Sequence, residues 1–457
     1  MEASVITNSA DRDAIVIGAG PAGQHCAGQL ADAGLNVAIV ERELVGGECD
    51  YWACIPSKTL LRPGDALEGA RHAPGAREAV SGGVRPEGVF EWRDFMVSNY
   101  EDGAKAEYLE GKGIAVLRGP ARLAGPGRVD VDGEVHAAEH IVLATGSSPV
   151  IPPIPGLREL DGVWTNREAT GLTEVPRRLV VLGGGPVGVE MAQAVRRMGA
   201  SVALVEGMDH VLPREPKPLG DALGTALTAD GIELCFGEHA TGVRHEDGEF
   251  VLEFEARDEL RGDRLLVATG RRPRVEDLGL ETVDVEPTRQ GVPVDDRMRV
   301  ADGLWAIGDV TGIWPLTYVG KYQGRVAAAN ILGREWRANY DAVPRVVFTD
   351  PQAAVVGAPD GPVTATFPLS GVPRTSTYTR EYADSPGFMT LVSDGERLTG
   401  AYALGQEAGE WLQQATVAIR AAVPLDVMED VIQPFPTFSE IFLYALTELR
   451  ARIPAPA

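Results

Sequence analysis

AIVIGAGPAG, residues Ala14–Gly23, is a short apolar run that breaks into G-x-G-x-x-G, and LVVLGGGPVG, Leu179–Gly188, repeats it far along the chain. A helical pattern follows each. A second apolar strand then ends in an acid, LNVAIVE at Glu41 and ASVALVE at Glu206, the same number of residues beyond the last glycine each time. This is a dinucleotide-binding fingerprint in the strand–turn–helix–strand context that it requires. The first glycine (Gly18, Gly183) permits the tight turn, and the second (Gly20, Gly185) lets the backbone approach a pyrophosphate. The third (Gly23, Gly188) lets the helix pack on the strand. Pro21, Ala22 and Val187 lie at the helix starts, where the dipole favours an anion. Glu41 and Glu206 are placed to accept hydrogen bonds from ribose hydroxyls. Two such units in one chain imply two dinucleotides.

A second repeat marks domain edges. HIVLATGSSP ends near residue 149 and RLLVATGRRP near residue 273, both being apolar strands that run into Ala-Thr-Gly. A further strand, GLWAIGD, ends at Asp309. The map is an FAD-type domain over 1–149, a nicotinamide domain inserted over 150–273, a return to the FAD domain over 274–339, and a last module over 340–457. That module mixes strand patterns (RVVFTD, FMTLVSD, RLTGAYAL) with a helical run, GEWLQQATVAIRAAV, and reads as α+β. The expected fold class is α/β, with two Rossmann-like three-layer domains plus this C-terminal α+β domain.

Composition narrows the function. The chain has 457 residues, a net charge of −24 and 54 glycines. A surface this acidic repels phosphate backbones and anionic lipid, which argues against nucleic acid and membrane as partners. No apolar run approaches the length of a membrane span. The start, MEASVITNSADRD, lacks the pattern of a secretory signal, so a cytoplasmic location is expected. Four cysteines are too few for a disulfide scaffold, and a close pair in a reducing compartment points to catalysis. Cys49 and Cys54 form that pair, ahead of the helix-like run SKTLLRPGDAL. A thiolate there gains from the helix dipole and from Lys58. Cys26 and Cys235 sit in apolar contexts and read as core.

The chain resembles the pyridine nucleotide–disulfide oxidoreductases, a family that includes dihydrolipoamide dehydrogenase, glutathione reductase and mercuric reductase. The resemblance runs from about residue 12 to 450. Its most specific motif is GGECDYWACIPSK, Gly46–Lys58, joined by ATGS at Ala144–Ser147, GGGPVGVE at Gly183–Glu190, ATGRRPR at Ala268–Arg274, AIGDV at Ala306–Val310 and PRVVFTDPQ at Pro344–Gln352. By similarity, Cys54 faces the flavin and Cys49 is the interchange thiol that meets substrate. Lys58 lies near the reactive edge of the flavin, paired with Glu190, and Asp309 binds the ribityl–pyrophosphate region. The resemblance adds Arg42, Gly47, Ala121, Thr145, Gly146 and Thr317 to the FAD site and Gly270 to the nicotinamide site. It also implies a homodimer through the last domain, and no metal. Glu206 is followed by Gly-Met-Asp-His, with no cation to neutralise a 2′-phosphate, so NADH is favoured over NADPH. Arg196 and Arg197, on the preceding helix, are the residues that would reverse this.

The chain departs from the family in two places. A His-Pro near the C-terminus of the family supplies an acid–base imidazole to the other subunit, oriented by a Glu five residues on. Here the segment is PFPTFSE, Pro434–Glu440, with Phe435 where the His belongs and Glu440 retained. None of the seven histidines lies in this motif. The second departure is Glu48 and Asp50-Tyr51-Trp52-Ala53 around the cysteines, where the family has small and apolar residues. Tyr51 and Trp52 either line an aromatic substrate site or pack against the turn. Mercury is disfavoured as substrate, because the chain ends ARIPAPA without the cysteine pair that hands over the metal. The ketopropyl-coenzyme M branch also has Phe for His, but it replaces the Glu as well.

The leading reading is therefore an FAD- and NADH-dependent reductase of an unidentified small-molecule acceptor that needs no imidazole acid: a quinone, a metal ion, an activated sulfur compound or a natural-product intermediate. A true disulfide reductase with another proton donor is the enzymatic alternative. A non-catalytic redox sensor or complex component is the alternative of another class.

Overall fold

The computed structural model describes residues 11–453. Parts of the N-terminal segment read for a signal and of the C-terminal ARIPAPA lie outside them. The described chain divides into two compact units, one made of 11–56, Asp94–Val150 and Arg271–Asn339, the other of Ser57–Arg93, Ile151–Gly270 and 340–453. No helix among the described residues is long and apolar enough to cross a membrane.

The first unit is built on the strand Arg12–Ile17. It pairs in parallel with Val37–Glu41 on one side and Glu134–Leu143 on the other, and Ala115–Arg118 and Leu304–Ala306 extend the parallel sheet outward. Ile15, Val16, Val40 and Leu143 are almost fully buried, which is why these strands read as continuous apolar runs rather than alternating ones. Helix Pro21–Asp32 packs on helix Thr317–Ile331. The two backbones approach closely because Gly320 meets Ala22, and Gly324 meets Ala22 and Cys26. The two Ala-Thr-Gly repeats turn out to be partners: Ser147–Pro149 pairs antiparallel with Arg271–Pro273.

The second unit holds three sheets. Ile232–Phe236, Ser201–Glu206, Arg178–Leu182 and Arg264–Val267 form a four-stranded parallel sheet, in that order. Gly242–Glu246, Glu249–Glu253 and Leu260–Gly262 form an antiparallel meander. The C-terminal sheet is antiparallel, in the order Arg345–Val347, Gln352–Gly357, Leu398–Gly405, Phe388–Ser393, Val363–Pro368. Its Ala354, Val356, Leu391 and Ala403 pack with Ile441, Phe442, Ala445 and Leu449 of helix Ile441–Arg452 into one core. The helical run read over Gly409–Val423 is two helices, Ala408–Trp411 and Gln413–Arg420, joined at Leu412. The overall class is α/β with a C-terminal α+β part, as expected.

Candidate active site

The two glycine-rich turns have matching construction. Gly18 and Gly183 have φ of +109° and +111°, and a Cβ on either would strike the carbonyl of Ala144 or Ala268 respectively. A Cβ on Gly23 or Gly188 would strike the carbonyl of Gly18 or Gly183. At Gly20 and Gly185 the opposite holds: a Cβ would meet nothing within 4 Å. Each therefore leaves open space at the start of its helix, Pro21–Asp32 or Pro186–Arg197, and neither helix has a side-chain N-cap. Uncapped amides facing open space at a helix start suit a pyrophosphate, so both turns fit a dinucleotide. The acids are held alike. Glu41 accepts from the Ala19 and Glu43 amides, both at 2.9 Å. Glu206 accepts from the Gly184 amide at 2.7 Å and the Met208 amide at 3.0 Å. Arg42 is exposed and lies 3.8 Å from Glu43. Val187 is the second residue of its helix.

Other residues expected around FAD fall in three places in the first unit. Asp309 accepts a hydrogen bond from Ser147 Oγ at 2.6 Å, and Thr145 Oγ1 donates to the Arg274 carbonyl at 2.9 Å. Gly146 has a positive φ of +75° just before the strand Ser147–Pro149; Gly270, expected at the nicotinamide site instead, ends the Ile151–Gly270 segment of the second unit with a φ of +130°. Gly47 begins the short helix Gly47–Tyr51, and a Cβ there would press on Gly20, so the cysteine loop sits directly on the first glycine-rich turn. Ala121 stands apart, on the strand Ala121–Leu123 of an antiparallel meander, paired with Val131.

Cys49 lies in that short helix, and Cys54 opens the long helix Cys54–His72. Thr317 Oγ1 is 3.2 Å from each sulfur. The Cys49 thiol is pushed up, first by its hydrogen bond with Cys54 and then by burial; the Cys54 charge and Asp50 add to the rise, while Thr317 opposes it. Cys54, at a helix N-terminus, is the better place for a thiolate. Cys26 and Cys235 are buried, and burial alone pushes Cys26 up to about 12, so it is an inert core thiol.

The unusual residues of the loop are structural clamps. Glu48 pairs with Arg274 at 3.1 Å and Arg271 at 3.7 Å. Arg271 Nε donates to Ser147 Oγ at 2.8 Å, so a chain of polar contacts runs from Glu48 to Asp309. Asp50 pairs with Lys105 at 2.6 Å. The Lys105 ammonium also lies 4.4 Å from the ring centroid of Tyr51. Tyr51 is wholly buried, and Trp52 stacks on Tyr100 with centroids 6.3 Å apart. Of the two readings of Tyr51 and Trp52, packing against the turn has the geometry behind it.

In the second unit Lys58 Nζ lies 2.8 Å from Glu190 Oε2, and Glu190 is 4 % exposed. Phe348 completes this arrangement: its amide donates to Glu190 Oε1 at 2.9 Å, and its ring lies 4.7 Å from the Lys58 ammonium. Phe348 is not among the residues expected at the site, although it lies in the motif PRVVFTDPQ. Arg197 is tied to Asp230 and Asp350 at 3.0 and 2.9 Å, and Arg196 donates to the Ala200 carbonyl at 3.2 Å.

Phe435 is 74 % exposed, and Ile432, three residues earlier, is 95 % exposed. Glu440 is buried and makes a capping box with Thr437: its carboxylate accepts the Thr437 amide at 3.2 Å while the Thr437 side chain caps the Glu440 amide. This explains the Glu on local grounds, since the box satisfies amides at the start of the terminal helical segment whether or not an imidazole is present.

The family model described as pyridine nucleotide-disulphide oxidoreductase matches residues 12–324, and its dimerisation domain matches residues 343–446. A dihydrolipoyl dehydrogenase of Thermus scotoductus is 35 % identical, over 96 % of this chain and 97 % of that protein. A mercuric reductase of Acidithiobacillus ferrooxidans is also 35 % identical, over 93 % of this chain and 80 % of its own. Among solved structures, a Cu(II) complex of the HOCl-induced flavoprotein disulfide reductase RclA from Escherichia coli superposes with a TM-score of 0.85 at 27 % identity, covering 96 % of this chain and 99 % of that one. The fold and the paired glycine-rich turns thus define a two-dinucleotide flavoprotein. The chain belongs to the pyridine nucleotide–disulfide oxidoreductase family. It is an FAD-dependent oxidoreductase that uses NAD(P)H, and its dimerisation domain supports a homodimer. Val417, Val427, Val431, Ile432 and Leu443 are exposed apolar residues of that domain.

Proposed function

We propose that this protein is an NADH-dependent reductase whose acceptor takes electrons without an imidazole acid. FAD, when bound, supplies the two-electron link between the nicotinamide and the Cys49–Cys54 pair. The chain's own residues do the rest. Gly20 and Glu41 bind the FAD end, and Gly185 and Glu206 bind the nicotinamide end. Lys58 is fixed by Glu190 and Phe348, and Cys49 meets the acceptor. The assigned division of labour is FAD binding by 1–149 and 274–339, nicotinamide binding by 150–273 and pairing of subunits by 340–457.

The observation that carries this reading is that one sequence has both an intact cysteine loop and Phe435, a ring that cannot hold a proton, at the position where the family resemblance puts a base. An acid–base group in such a role contributes roughly 100- to 10,000-fold. Quinones, metal ions and activated sulfur compounds do not demand it, and a natural-product intermediate of the same kind would fit. Relatives named as a mercuric reductase and as a Cu(II) complex support a metal ion among these, though the four cysteines, Cys26, Cys49, Cys54 and Cys235, include no C-terminal pair.

NADH is supported by Glu206, whose carboxylate is fixed by two amides, and by Arg196 and Arg197, which are engaged elsewhere. An anaerobic acceptor screen, NADH against NADPH, tests both halves. NADH bleaches the flavin several-fold faster, since a carboxylate and a phosphate about 4 Å apart repel by roughly 1 kcal/mol even in water. A preference for NADPH, or turnover confined to lipoamide and glutathione disulfides, overturns the proposal.

A further inference from the structure

Thr317 begins helix Thr317–Ile331, and its hydroxyl oxygen is equidistant from the two sulfurs, 3.2 Å from Cys49 Sγ and 3.2 Å from Cys54 Sγ. All three residues lie in one compact unit. Two-electron reduction of a disulfide by a hydride equivalent breaks the S–S bond, and the two electrons and one proton give one thiol and one thiolate. A single proton is then divided between two sulfurs. When it passes from Cys49 to Cys54 the negative charge moves the other way, and no electron enters or leaves.

A hydroxyl has one rotatable donor, and a hydrogen bond to a charged partner is roughly twice as strong as a neutral one. We infer that Thr317 is a further catalytic residue: its hydroxyl turns to donate to whichever sulfur of the reduced pair carries the charge. It thereby stabilises the thiolate from within the same subunit, where the family's imidazolium is replaced by Phe435.

The charges around the pair make this donor matter. Glu48 and Asp50 flank Cys49 on both sides in sequence. Each is ion-paired, Glu48 with Arg274 and Arg271 and Asp50 with Lys105, yet Asp50 still disfavours a thiolate on Cys49. The hydrogen bond with Cys54 and then burial are larger causes in the same direction, and the Thr317 hydroxyl acts against them. The inference rests on the reading of Cys49 and Cys54 as the redox pair.

The experiment measures alkylation of Cys49 by iodoacetamide, a neutral reagent that attacks the thiolate, as a function of pH in the reduced holoprotein. The parent is compared with Thr317→Val, which keeps the shape and removes the donor, and Thr317→Ser, which restores the donor. Removing a donor to the thiolate disfavours the deprotonated form, so the Thr317→Val midpoint rises by about 1 pH unit. Thr317→Ser returns it to the parent value. The long-wavelength absorbance of Cys54 thiolate beside oxidised flavin, measured per bound FAD, falls in Thr317→Val and recovers in Thr317→Ser. If the parent shows the band and the Val variant titrates with it, the role of Thr317 is wrong while the redox pair stands. If the parent shows no such band on two-electron reduction, the redox pair itself fails.

Discussion

The cysteine loop carries the chain's most specific motif, and the Pro434–Glu440 segment holds Phe435 where the sequence leads one to expect a histidine. Their surroundings differ as much as their sequences do. Around Cys49 and Cys54 every unusual residue is tied down: Glu48 and Asp50 by cations, Tyr51 by full burial, Trp52 by Tyr100. The loop's unusual side chains are thus held by contacts, the arrangement that the proposed redox pair would need. At Pro434–Glu440 the backbone motif survives, while the position that would carry the proton holds an exposed ring. The retained Glu440 has local work in its capping box. Part of this segment therefore serves the fold whatever chemistry its Phe435 position takes part in.

The largest test of this contrast removes the sulfurs. Cys49→Ser abolishes reduction of the acceptor, a loss on the order of 1,000-fold or more for a residue that forms the reacting bond, and leaves a permanent long-wavelength band from Cys54. Cys54→Ser abolishes that band. Stopped-flow absorbance with NADH reads both, and two variants that match the parent would make the loop a structural feature only.

Phe435→His is the second test, with a smaller expected effect. A gain of about 10-fold in reduction of a small disulfide is expected, below the roughly 100-fold floor for a well-placed acid–base group. Flavin reduction by NADH serves as the internal control and does not change. A parent that already reduces a small disulfide at roughly hundreds of turnovers per second, a fast rate for an enzyme, would show that another group supplies the proton.

The smallest effect belongs to Glu440. If its role is the capping box, Glu440→Ala costs about 1 kcal/mol in thermal or denaturant unfolding and leaves kcat with a quinone unchanged. A fall in kcat without a fall in stability would return Glu440 to the chemistry, and the contrast between the two segments would lose its second half.

The sequence determined the parts that depend on local backbone rules. Gly18 and Gly183 were legible because a strand that turns into a helix against a neighbouring strand leaves no room for a side chain. The acids Glu41 and Glu206 followed from the fixed length of a strand–helix–strand unit. The pairing of Lys58 with Glu190 came from resemblance, and the geometry agrees with it at 2.8 Å. The tertiary structure alone decided what depends on contacts between distant segments. It paired the two Ala-Thr-Gly repeats as neighbouring strands. It brought Arg274 to Glu48, Tyr100 to Trp52 and Phe348 to Lys58. It set the Thr317 hydroxyl between two sulfurs that lie more than 260 positions away in the chain. Periodicity and motif spacing describe a chain's neighbours along itself, whereas these contacts arise only when packing carries one segment to another, and no local pattern encodes which segment that will be.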